Sequence, residues 1–134
     1  MLARYGWSYE RTGDSEWRTG FQGEKRTHSM VISLTGTCVS FEVRPLIDVL
    51  VDCGRWPRLP RELLELNGRL KLVKVAVTEE GEVALACQVL AATLSYDAFS
   101  RLLGIIGYYA EEVGPEILSR LTAAVQAPAQ QLLC

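Results

Sequence analysis

One histidine, His28, is all the imidazole this sequence offers. Histidine-based metal sites and most general-base triads are hard to build from a single ring. The acids around it have no ligand spacing (Glu24 is the nearest), so His28 reads as an ordinary strand or turn residue. The four cysteines, Cys38, Cys53, Cys87 and Cys134, never come closer than 15 positions. No CxxC pair exists, and zinc spacing is missing. Charge of one sign is also lacking: 14 Lys and Arg face 16 Asp and Glu, a net charge of -2. That excludes a nucleic-acid binder that works by bulk positive charge. No apolar run approaches the ~20 residues of a membrane span. Met1 to Glu10 has no apolar signal-peptide region. The expectation is a cytoplasmic protein with reduced thiols, no bound metal or cofactor, and no membrane or nucleic-acid partner.

What is present is an ordinary globular composition. Of 134 residues, 49% are hydrophobic and 22% charged, enough apolar material for one domain over 1–134 with its own core. Trp17 to Gln22 is a short candidate strand. Thr27 to Leu34 alternates, with Met30, Ile32 and Leu34 on one face, and Cys38 to Arg44 alternates with Val39, Phe41 and Val43. Thr35-Gly36-Thr37 joins the two as a hairpin turn. Leu46 to Pro60 is a long connection, in which Asp48 and Asp52 read as solvated charges. Pro60 opens a short helix with Leu63, Leu66 and Leu70 on one face, and Asn67-Gly68 is expected to close it. Strands over Lys71 to Val77 and Glu82 to Leu90 flank a hairpin turn at Thr78 to Gly81.

Ser95 is placed as the N-cap of a long helix from about Tyr96 to Val113. Phe99, Leu102, Leu103, Ile106, Ala110 and Val113 form its sheet-facing stripe. Gly114-Pro115 is expected to interrupt it, with a second helical piece to about Gln126 and a loose tail, so that 115–134 is a C-terminal extension. Strand runs joined by hairpins, with helices between, predict an α+β fold: an antiparallel sheet covered by helices.

Two features point to partners. The long helix carries Ile105, Tyr108 and Tyr109 away from its core stripe, with Gly104 and Gly107 among them. Each interior glycine costs up to about 1 kcal/mol relative to alanine, which is easier to understand where another backbone packs closely. The cover is either a second copy of the chain or the segment Pro115 to Gln126 folded back. Arg55-Trp56-Pro57-Arg58 with Arg61 mixes cations with an aromatic ring. Trp56 either packs on its own core, anchors a protein, or stacks on single-stranded nucleic acid; it is carried forward as a protein-contact candidate. No catalytic residue emerges: Ser95, for instance, lies in no G-x-S-x-G elbow.

Thr19-Gly20-Phe21-Gln22-Gly23, an alternating strand and Phe41-Glu42-Val43-Arg44-Pro45 form the first part of a family pattern. Glu62-Leu63-Leu64-Glu65-Leu66-Asn67, then Lys74-Val75-Ala76-Val77, Glu80 to Leu85 and Leu94-Ser95 form the second. On these residues the chain resembles the YbjN family of bacterial sensory transduction regulators, similar in fold to type III secretion chaperones. The resemblance covers roughly Trp7 to Leu118. It implies an α-β-β-β-α-β-β-α sandwich that dimerises and binds protein rather than catalysing, and it brings no active-site residues. One departure stands at the start, where Leu2 to Trp7 has room for about one or two helical turns. The expected function is a non-enzymatic, chaperone-like or regulatory homodimer with a protein or peptide client. A small-ligand or nucleotide-sensing domain is the alternative.

Overall fold

A computed structural model describes residues 8–24, 26–52 and 54–126. The expected first helix, over Leu2 to Trp7, and the tail after residue 126 lie outside the described residues.

Six strands form one antiparallel sheet: β1 (Tyr9–Gly13), β2 (Glu16–Gln22), β3 (Thr27–Thr35), β4 (Cys38–Val43), β5 (Lys74–Val77) and β6 (Val83–Leu90). Their spatial order is β1-β2-β3-β4-β6-β5. Between β4 and β5 lies helix α1 (Leu59–Arg69), and after β6 comes helix α2 (Tyr96–Gln126). The α+β class and the helix-covered antiparallel sheet are therefore as the residue pattern predicts.

The register shows why the alternation works. Trp17, Ile32, Phe41 and Cys87 lie side by side across four strands, and Thr19, Met30, Val43, Leu85 and Val75 make the next row. Both rows face α2, whose Phe99, Leu102, Leu103, Ile106, Ala110 and Val113 are all buried. Every other position on each strand falls on the opposite face, which bears Arg18, Glu42 and Lys74. Ser95 caps α2 as expected: its Oγ accepts the Ala98 N–H at 3.1 Å.

Four expectations are corrected. Strand β1 adds a fourth strand before the first described helix; it is polar and wholly exposed, so it carries no apolar alternation to announce it. Helix α2 runs through Gly114-Pro115 without a break. Its apolar stripe continues with Ile117 and Leu121, both buried, and this packing outweighs the lost proline N–H. Gly114 lies against the connection after β4, where even a methyl would make only ordinary contact, 3.5 Å from the Leu46 carbonyl oxygen. Since 115–126 continues the helix, it does not fold back over it. Asn67 does not end α1, which runs on to Arg69. Strand β5 starts at Lys74, because Leu72 sits at φ 70° and turns the chain.

Candidate functional site

The outer face of α2 carries the main surface feature. Arg101, Ile105, Tyr108 and Glu112 recur at spacings of four, three and four, which aligns them on one helix face. With Gly104 and Tyr109, and with Lys71 and Leu72 from the α1–β5 loop, Arg101, Ile105 and Tyr108 border a groove of about 500 Å³, mostly apolar. Tyr108 is 62% exposed and packs edge-on against Tyr109, with ring centroids 5.3 Å apart. Ile105 and Tyr109 are half-buried against the edge of the core. Gly104 faces open space: a methyl there would meet no atom within 4 Å. Three of the four predicted contact residues, Ile105, Tyr108 and Tyr109, thus share one groove.

Trp56 does not join them. It is 5% exposed and belongs to the central cluster with Leu59, Leu63 and Ile47. Arg55 covers its ring, with the guanidinium carbon 4.8 Å from the centroid. The flanking cations made the segment look like a sticky loop; the indole instead fills the space that α1 and the β4–α1 connection leave open. It is unavailable as a surface anchor in this fold.

Leu72 is the contribution that periodicity missed. It is 63% exposed, and its positive φ is one that a leucine adopts only at a cost. The positive φ holds an apolar side chain on the groove wall. An exposed leucine just after a helix was the available signal.

A second, smaller cavity of about 350 Å³ lies at the other flank of α2, bordered by Arg26, His28, Leu46, Glu111, Pro115 and Leu118, among others. His28 is 2% exposed, stacked on Phe21 at 4.9 Å, with Nε2 2.7 Å from Glu111 Oε1. Its Nδ1 has no partner among the described residues. Arg26 reaches Asp48 at 3.0 Å and the Leu46 carbonyl at 3.3 Å. Asp48 is thus one end of an ion pair between the residue before β3 and the connection.

Charge states follow from these surroundings. Hydrogen bonding from Arg69, with Arg120 behind it, holds the Glu116 carboxyl below its ordinary range, against a smaller opposing effect of burial. Burial pushes the Cys87 thiol up, so it stays protonated and unreactive. Among the described residues no group of three His, Cys, Asp or Glu side chains is placed to hold a metal ion. No described helix is long and apolar enough to cross a membrane.

The family model of YbjN, described as "Putative bacterial sensory transduction regulator", matches residues 1–119. The chain belongs to the YbjN family. No curated protein matches it in sequence. Solved structures share the fold. A chain of the heterodimeric ExoU–SpcU complex from the type III secretion system of Pseudomonas aeruginosa superposes with a TM-score of 0.60 at 21% identity, covering 85% of this chain and 92% of that one. A chain of the ExsC–ExsE complex gives 0.59 at 18% identity, covering 85% of each. YbjN from E. coli gives 0.53 at 15% identity, covering 99% of this chain and 90% of that one. The fold of this YbjN-family chain is therefore that of the type III secretion chaperones.

Proposed function

We propose that this YbjN-family protein is a non-enzymatic protein-binding module that works as a homodimer in the cytoplasm, in a chaperone-like or regulatory role. The observation that carries the proposal is the apolar groove along α2, with Ile105, Tyr108, Tyr109 and Leu72 on its walls and Gly104 open beneath. A monomer gains nothing from a bare helix face with a glycine in it; a partner backbone approaching there explains both. Two of the similar structures are complexes with a second protein, which supports a polypeptide client for this fold. The poverty of catalytic groups supports the non-enzymatic reading.

The test compares two substitutions on one helix. Ile105→Asp places a carboxylate in the groove and should yield a folded single chain. Leu103→Asp places the same charge against the sheet, where Leu103 is buried, and should unfold the domain. Circular dichroism and light scattering separate the outcomes. Two folded dimers would refute the assignment of the faces.

The cavity beside His28 favours a second reading, a small-ligand sensor. Its volume falls in the range of ligand pockets, and it is bordered by His28, whose buried Nδ1 has no partner among the described residues. A metabolite that co-purifies in stoichiometric amount would favour that reading over the first.

A further inference from the structure

The groove on α2 is electrically lopsided. Lys71 and Arg101 stand at one end. Beyond Tyr108, a second hollow is bordered by Glu24, Glu111 and Glu112, and Tyr108 borders both. Glu111 is occupied by His28, whereas Glu112 makes no ion pair among the described residues. The cationic and anionic ends lie eleven residues apart on the same face, roughly 16 Å along the axis. Between them lie Gly104, Ile105 and Tyr108.

Such a face is its own complement. We infer that the occupant of the groove is a second copy of the chain, its α2 antiparallel to the first about a two-fold axis between Ile105 and Tyr108, so that Arg101 of each copy meets Glu112 of the other. This rests on the reading of the α2 face as a self-association surface and adds its partner geometry. A two-fold contact uses the same patch on both copies, so each interaction occurs twice. With Arg101 opposite Glu112, helical spacing sets Ile105 against Tyr108, with both Gly104 residues on one side of the seam and both Tyr109 residues on the other. The two backbones can then approach at the paired glycines, where a methyl would find only space within one copy. A parallel arrangement would set the two basic ends together and the two acidic ends together, so antiparallel pairing is the one the charges select. Arg101 also holds its own Asp97 at 3.2 Å, at the exposed surface; the guanidinium has five N–H donors and can serve both.

A charge swap tests the geometry. Arg101→Glu should weaken self-association by about tenfold or more, because two like-charged pairs replace two attractive ones. Glu112→Arg should do the same. Mixed one to one, the two variants restore both pairs, and the mixture should dimerise at a concentration where each alone is monomeric. Both sites are exposed, so circular dichroism should show unchanged folding. Two variants that dimerise as tightly as the wild type overturn the inferred register, as do two that fail to recover when mixed. A wild-type chain that is itself monomeric overturns the self-association reading along with it.

Discussion

His28 on β3 and Glu111 on α2, 83 positions apart in the chain, meet at 2.7 Å between Nε2 and Oε1. The contact ties the start of β3 to the middle of the long helix beside Gly23. A methyl on that glycine would displace the Glu111 carboxylate from its place against His28. The imidazole is buried and the carboxylate three-quarters so.

Removing Glu111 leaves a buried ring nitrogen without its partner. Glu111→Ala should therefore cost about 1–3 kcal/mol of stability in a urea titration. Glu111→Gln keeps an oxygen that can accept the His28 N–H and should cost less. Equal stability of all three proteins would mean that the pair contributes nothing to the fold.

Trp56 supplies a second prediction. As a core residue it should report on folding rather than on partners. Trp56→Ala should cost about 3–5 kcal/mol by opening a cavity. Trp56→Phe should cost far less, since the indole Nε1 has no hydrogen-bond partner among the described residues to lose. A Trp56→Ala variant of unchanged melting temperature would place the ring at the surface and reverse the correction made above.

Glu116 links stability to pH. Its folded pKa lies below the ordinary 4.5, chiefly through the Arg69 hydrogen bond at 2.7 Å. A depressed carboxyl contributes stability that is complete above its unfolded pKa and is lost as pH falls through the folded one. The stability gap between wild type and Glu116→Gln should hold at neutral pH and close progressively below about pH 4.5. A gap that widens on acidification would contradict the assignment.

Much of this fold was legible because one face of each strand is apolar. Met30, Ile32, Phe41 and Val43 alternate cleanly, and the α2 stripe repeats at helical spacing, so strands, helix faces and the cap at Ser95 follow from local pattern. Strand β1 was not legible: Tyr9 to Gly13 buries nothing, and beyond the backbone ladder it meets β2 through surface contacts such as Thr12 Oγ1 to Glu16 and Arg11 over the Trp17 ring. Asn67 misled for a related reason. Before a glycine it looks like a helix end, yet its Oδ1 accepts the Val75 N–H at 2.7 Å and its Nδ2 donates to the Val75 carbonyl at 3.1 Å. The side chain satisfies the outer edge of β5, a long-range contact that no spacing rule encodes.

The candidate site was half legible. Ile105, Tyr108 and Tyr109 stood out as apolar residues beyond the core stripe. Trp56 did not declare its burial, because a tryptophan flanked by arginines and prolines has the same composition inside or outside. Leu72 and the His28–Glu111 contact depend on loops and sheet register that bring distant residues together.

The central claim is that the α2 face joins two chains. Light scattering coupled to size exclusion, across a dilution series in the micromolar range, tests it most directly. The account predicts twice the 14.9 kDa chain mass for the wild type and a single chain mass for Ile105→Asp. A wild type that elutes as one chain at every concentration, with Ile105→Asp indistinguishable from it, would contradict it.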